Sequence, residues 1–398
     1  MGGGMGTAYH VNLHTGQVLD PDYWFGFVGQ ETGFGEMFLR CGKRFNRPDW
    51  MDKGRKIIDF WVRESGSDWG LPRVHYIVDE KSEWMLQHPS YLRNVSDGME
   101  SIISAYNYLR DLGEEHPDWL AFCQRVADWL VANADEEGTW ERGYDAADGS
   151  VLEGSKYNTS NIVRFLVMMY LTTKKEAYRK AALKAGDWCY ENIHHAYRYV
   201  GGTPDNPNVL DKEAGIYATF CFQALYDLTG EQKWLDAWIR AADYTETWMY
   251  LWSFPVKCML PPHCFQKCDI TGQSLIATGH SANDIYMAAC SYQYYRLYLI
   301  TKDPHYKFIA KICHANPKQI TDPDGSYGYA MPGLSHEATS FIDQFVGAGS
   351  KWVAWVSFVQ IEPVVRLLDT FGAYEIDEAD AKDPAFLQRE NDIYGKSK

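Results

Sequence analysis

The chain has 398 residues, a formal net charge of −15, and 15% Phe, Trp and Tyr. Its acidic balance, with no Lys/Arg cluster longer than a pair or so, argues against nucleic acid and anionic membrane surfaces as partners, and no apolar run reaches the ~18 residues of a membrane span. The nine cysteines are an odd number, mostly set in helical apolar patterns (Cys123, Cys189, Cys221, Cys290, Cys313); they read as reduced, buried small hydrophobes, which favours a reducing compartment.

From the N-terminus, residues 1–20 open with MGGGMGTAYH, which has neither a basic n-region nor an apolar h-region. They read as a flexible leader, and the expected location is cytoplasmic, with a periplasmic or secreted origin open if a signal peptide has been removed. Residues 21–398 carry one repeated phrase: an aromatic residue, eight residues, then Asp and a second aromatic. It runs from Trp50 to Asp59-Phe60, Trp119 to Asp128-Trp129, Tyr178 to Asp187-Trp188 and Trp234 to Asp243-Tyr244. A degraded copy from Tyr306 ends at Ala315. The copies lie 69, 59, 56 and 72 residues apart, too long for common solenoid periods and suited to helical hairpins.

Periodicity and turn residues predict these hairpins: Phe25–Asn46 with Pro48–Arg63, Val95–Leu112 with Pro117–Ala134, and Asn158–Thr172 with Lys175–Ile193. Lys212–Leu228 with Glu231–Trp248, and Ser281–Ile300 with Pro304–Ala315, follow. A sixth begins with Ser350–Leu368, its partner around Asp380–Asn391. Turns inside the hairpins are short, whereas the links between them are long and rich in Gly, Pro, Trp, Tyr, His and Asp. The pattern predicts a single all-α domain, an (α/α)6 toroid with the first helices inside and the long loops on one face. An open helical array is the alternative.

If the long loops share a face, the polar starts of the inner helices converge at one mouth. Asp and Asn at such positions are ordinary caps. Capping does not account for Lys212 and Lys351, placed against the helix dipole, or for His280. Glycosidic hydrolysis needs a proton donor and a second carboxylate. Asp284, Glu213 and Asp211, from successive hairpins, are the candidate catalytic residues, with Asp284 favoured as the acid. Asp97 and Glu100 come from the other side of the ring. Lys212 and Lys351 are candidates for a uronate carboxylate, His280 for a sugar hydroxyl, and Asn158 and Trp352 for further substrate contacts. Trp140 and Tyr144, with Trp69, Trp84 and Trp252, would stack on sugar rings. Cys258, His263, Cys264 and Cys268 lie within eleven residues, but their spacing is not that of a standard zinc site, so neither metal nor cofactor is expected.

The stretch Asn283-Asp284-Ile285-Tyr286-Met287-Ala288, followed by Tyr295 and Thr301 to Tyr306, resembles the helix-opening motif of unsaturated glucuronyl and rhamnogalacturonyl hydrolases. The resemblance covers about one hairpin and implies an (α/α)6 barrel with an Asp as catalytic acid. In the wider chain, the likeness is to the six-hairpin glycosidase superfamily. It implies a glycoside hydrolase acting on uronic-acid-containing or related oligosaccharides. A polysaccharide lyase on the same scaffold, using Tyr157, Asn158, Asn161 and His280, stays open. So do a sugar epimerase of the acylglucosamine type, which relies on paired barrel histidines, and a non-catalytic helical-repeat binding protein.

Overall fold

A computed structural model of the chain describes residues 6, 8–79, 81–204, 206–252, 271–280, 282–337, 339–340 and 351–382. Helices pair in chain order: α1 (Glu31–Arg44) with α2 (Pro48–Glu64), α3 (Leu92–Asp111) with α4 (Pro117–Asn133), and α5 (Thr159–Thr173) with α6 (Glu176–Cys189). Then come α7 (Lys212–Thr229) with α8 (Gln232–Glu246), α9 (Ser291–Thr301) with α10 (Pro304–Ala315), and α11 (Ala354–Phe371) with the short α12 (Ile376–Asp380). Proline opens α2, α4 and α10, where its missing N–H costs nothing. Gly230 closes α7 at φ 70°, a conformation that favours glycine.

The first helices form a closed ring: α1 packs on α3, α3 on α5, α5 on α7, α7 on α9, and α11 on both α9 and α1. Their burial agrees with an inner position. Helix α3 buries residues on every side, whereas α2 buries only Gly54, Ile57, Ile58, Phe60 and Trp61. The chain therefore has the (α/α)6 architecture, and the open array is excluded. One apolar cluster runs through all the hairpins, and a smaller one gathers Leu13, Phe34, Leu334, Trp352 and Ala354.

The repeated phrase is the bolt between neighbouring outer helices. Trp119 Nε1 donates to Asp59 at 2.8 Å, Tyr178 OH to Asp128 at 2.6 Å, and Tyr306 OH to Asp243 at 2.9 Å. Each aromatic thus bonds the Asp one hairpin earlier. At Asp187 the donor is Lys233 Nζ (2.8 Å) instead, and Trp234 Nε1 has no partner among the described residues. Ala315 replaces the acid where the next outer helix, α12, contains no aromatic residue.

Among the described residues, four small three-stranded sheets, which the sequence pattern does not announce, sit before inner helices. Segments of two or three residues are too short to show alternation. His10–Asn12 pairs with Val18–Asp20 and with Lys351–Val353, so residues 10–20 are held to the start of α11 rather than forming a free leader. The same pairing moves the start of α11 from the expected Ser350 to Ala354. Tyr23–Trp24, His75–Ile77 and Glu83–Trp84 form the sheet before α1, and Ser90–Tyr91, Gly143–Tyr144 and Val151–Glu153 the one before α3. Before α9 lie Ala282–Asp284, Ser274–Leu275 and Thr339–Ser340. The helix expected from Ser281 is therefore a strand, a 3-10 turn over Tyr286–Cys290, and then α9. The Asp284 carboxylate accepts from Tyr286 N at 3.0 Å, a local bond that competes with helix. The partner expected around Asp380–Asn391 is the earlier α12, and residues from 383 on lie outside those described.

Candidate active site

The N-terminal ends of α1, α3, α7 and α11 and the segment before α9 meet around a cavity of about 240 Å³. Aromatic residues Trp24, Phe27, His88, Tyr91, Tyr286 and Trp355 are part of its wall, and Asn94, Glu213, Asp284 and Glu337 supply polar groups. Three consecutive residues at the start of α7 take three different positions around it.

Asp211 is the helix cap. Its Oδ1 accepts from Ala214 N at 2.6 Å, and its Oδ2 from Gly202 N (2.8 Å) and Thr203 N (3.2 Å). A side chain on Gly202 would come within 2.0 Å of Ala214 N, so the loop needs glycine there to close on the cap. Burial, then the charge of Glu213, push the Asp211 carboxyl up to about 6. With both oxygens taken by backbone donors, Asp211 holds the loop and does not face the cavity.

Lys212 is wholly buried and forms an ion pair with Asp284, itself 3% exposed. Ser274 Oγ lies 3.2 Å from both Lys212 Nζ and Asp284 Oδ1. Lys212 is thus committed inside the wall and is not available to a uronate. Asp284 gathers its lysine, hydroxyl and backbone donors on Oδ1, and no described residue donates to Oδ2.

Glu213 pairs through Oε2 with Arg93 Nη1, and no described residue donates to Oε1. Burial raises its pKa, against the opposing charges of Arg93 and Lys212, and the neighbouring Asp284 adds to the rise. Arg93, at the start of α3, is the hub of the floor. Its Nε donates to Tyr217 OH (3.0 Å), Nη1 to Gly202 O (3.0 Å) and Nη2 to Tyr286 OH (3.1 Å). The guanidinium lies 3.6 Å over the ring of Phe27, a cation–π contact. Phe27 is joined to Val28 by a cis peptide bond, and its carbonyl accepts from Asn94 Nδ2.

Beneath this floor lies a second chamber of about 70 Å³, bordered by Gln30, Asp97, Glu100, Arg164, Tyr217 and Gln293. Asp97 accepts from Tyr217 OH (2.9 and 3.0 Å) and Gln30 Nε2 (3.1 Å), and burial raises its pKa despite Arg93. Glu100 pairs with Arg164, whose Nε is 2.8 Å away; burial outweighs that charge and pushes Glu100 up to about 7. Both acids thus sit below the mouth rather than in it.

Other expected residues are elsewhere. Trp140 is 1% exposed, with Nε1 donating to Leu130 O at 2.9 Å, and Tyr144 is buried with its hydroxyl accepting from Glu141 N. Neither ring offers a face to a sugar. Trp69 and Trp84 pack among other aromatics, and exposed Trp252 does not border the mouth. Trp352 belongs to the small cluster and donates to Ser357 Oγ at 2.9 Å, while Lys351 is exposed on the strand paired with Asn12. Asn158 is buried at the start of α5, its Oδ1 without a partner among the described residues, away from the mouth wall. His280 lies in a turn, its N–H donating to Ala277 O; since Asp284 is on a strand, the two share no helix edge. The Cys258, His263, Cys264 and Cys268 group lies outside the described residues. Among the described residues no His/Cys/Asp/Glu group is arranged to hold a metal, and no helix is long and apolar enough to cross a membrane.

Sequence reasoning missed Trp24, His88, Arg93, Tyr217 and Trp355. Arg93 immediately precedes the polar Asn94–Glu100 stretch, a signal that could have been used. Trp24 and Trp355 have the local pattern of core residues.

No family model and no curated protein matches the sequence. Solved structures do match in shape. A D-mannose isomerase superposes with a TM-score of 0.64 at 13% identity, over 92% of this chain and 91% of that one. A cellobiose 2-epimerase from Bacillus thermoamylovorans gives 0.59 at 11%, over 90% and 93%. An unsaturated glucuronyl hydrolase from a Bacillus species gives 0.54 at 11%, over 85% of each chain. At such identities the likeness establishes the six-hairpin (α/α)6 fold.

Proposed function

We propose that the chain is a glycoside hydrolase and that its reaction takes place in the mouth cavity, between Glu213 and Asp284. The observation that carries this reading is the pairing itself. Two buried carboxylates enter one aromatic-walled cavity, each with one oxygen anchored to a buried cation and the other without a described donor. Glycosidic cleavage asks for a carboxylic acid on the leaving oxygen and a carboxylate at the anomeric carbon. Glu213 suits the first part, because burial favours its protonated form. As it gives up the proton, the growing negative charge falls against Arg93, a fixed donor that needs no rearrangement. Asp284, with the Lys212 ammonium as its counter-charge, suits the second, activating water or attacking carbon. Of the two proton donors the sequence offers, Asp284 and Glu213, this reading takes Glu213 rather than the favoured Asp284.

The aromatic wall supports a sugar ring as the ligand, since rings of this kind give large apolar faces with few rotamers. No Lys or Arg is among the described residues lining the mouth, and Lys212 and Lys351 are placed elsewhere. We therefore favour a neutral sugar at the reacting position over a uronate. A volume of about 240 Å³ is below the roughly 300–1,000 Å³ of sites for drug-sized ligands, which fits a single ring and exo-action.

A second reading, a sugar isomerase or epimerase, draws on His88. It lines the mouth, and burial, helped by the charge of His75, lowers its pKa to about 4, so the imidazole is neutral and can accept a proton. The superposed D-mannose isomerase and cellobiose 2-epimerase share the fold. One screen separates the readings: neutral and uronate-containing di- and trisaccharides and free hexoses, followed by reducing ends, ultraviolet absorbance and chromatography. New reducing ends without absorbance support the hydrolase, a conjugated double bond the lyase, and an isomeric sugar without cleavage the epimerase.

A further inference from the structure

Arginine beside a single carboxylate normally swings its planar fork into a two-point contact. Arg93 does not do this with Glu213. Only Nη1 reaches the carboxylate; Nε is drawn to Tyr217 OH, and Nη2 to Tyr286 OH. Tyr217 in turn gives its hydroxyl proton to Asp97, which sits in the lower chamber and accepts from Gln30 as well. A continuous line thus runs from the mouth through the floor: Glu213, Arg93, Tyr217, Asp97.

We propose that Tyr217 and Asp97 are positioning residues for Glu213, acting through Arg93; the proposal rests on reading Glu213 as the proton donor. The line holds the guanidinium in one-point contact, so Oε1 of Glu213 stays free for the cavity. It also divides the single positive charge of Arg93 between two carboxylates, one above the floor and one below. A Glu213 that owned the whole fork would be held as the anion and would be a poor donor. The charged and titratable groups around Glu213 are Arg93 and Asp97 from α3, Asp211, Lys212 and Tyr217 from α7, and Asp284 and Tyr286 from the segment before α9. Of these, Tyr217 bonds Arg93 and Asp97 bonds Tyr217, and neither lines the mouth.

The test is a carbon-13 NMR titration of the Glu213 carboxyl in the full chain, assigned by its loss in Glu213→Gln. It is run on wild type, Tyr217→Phe and Asp97→Asn. Tyr217→Phe releases Nε, so that the guanidinium can turn a two-point edge onto Glu213, and Asp97→Asn removes the competing charge. Both should move the Glu213 midpoint down, by roughly one pH unit. A strut with no positioning role would lower thermal stability and leave the midpoint in place. Unmoved midpoints in both folded variants, or variants that circular dichroism shows to be unfolded, overturn the proposal. The reading it rests on is tested apart, by hydrolysis with Glu213→Gln. Full activity there with shifted midpoints sinks the proton-donor role alone, and lost activity with fixed midpoints sinks the positioning role alone.

Discussion

Replacing Lys212 by Met tests the most buried charge pair of the mouth. The ammonium is wholly buried and its partner Asp284 is 3% exposed, so removal leaves a carboxylate with no counter-charge in the protein interior. Breaking such a pair from one side costs about 3–5 kcal/mol. Ser274 Oγ and Tyr286 N still donate to Oδ1 at 3.2 and 3.0 Å, which places the expected loss at the lower end, about 3 kcal/mol. At about 2.1 cal/mol/K per residue, a chain of 398 residues has an unfolding entropy near 0.8 kcal/mol/K, so Tm should fall by about 4 °C. Scanning calorimetry reads this directly. Adding Asp284→Asn should restore at least half of the lost stability, because the charge that needed a partner has gone. A single variant as stable as wild type, or a double variant no better than the single, would refute the reasoning.

Truncating Trp24 or Trp355 to Ala should raise KM by about 2- to 12-fold, the kinetic equivalent of 0.5–1.5 kcal/mol for one ring contact, with little change in kcat. Trp140→Phe should instead cost about 1–3 kcal/mol of stability, through the lost bond to Leu130 O and the space left behind, and leave KM unchanged. Glu100 has a folded-state pKa of about 7, raised from an unfolded value near 4.3, so its contribution to stability is full below the lower value and is lost as pH rises through the upper. The Tm advantage of wild type over Glu100→Gln should therefore shrink from about pH 5 to about pH 8.

The fold was legible because the repeated phrase is a physical joint. An aromatic donor and an Asp acceptor must recur at fixed places for outer helices to bolt together, as Trp119 does to Asp59 and Tyr178 to Asp128. Even the lapse at Ala315 has its counterpart in α12, which brings no aromatic. The gathering of Glu213 and Asp284 could be anticipated from polar surplus at helix starts. The cation that each carboxylate meets could not: Arg93 arrives from α3, some 120 residues away in sequence from Glu213. Aromatic residues in long loops were a poor guide, since Trp140 and Tyr144 fold back into the core. Of the rings that do line the mouth, Trp24 lies in one short strand pairing and Trp355 just follows another, with no readable period. Lys212 misled for a related reason: its position at a helix start suggested an outward reach, but the neighbouring Asp284 turns it inward.

The central claim is tested most directly by the turnover rate of Glu213→Gln on whichever saccharide the screen identifies, measured beside wild type at the same pH and with binding followed by calorimetry. Loss of a general acid predicts a fall in kcat of about 10²–10⁴-fold with affinity for the sugar retained. A variant that cleaves within a few-fold of the wild-type rate would contradict the account.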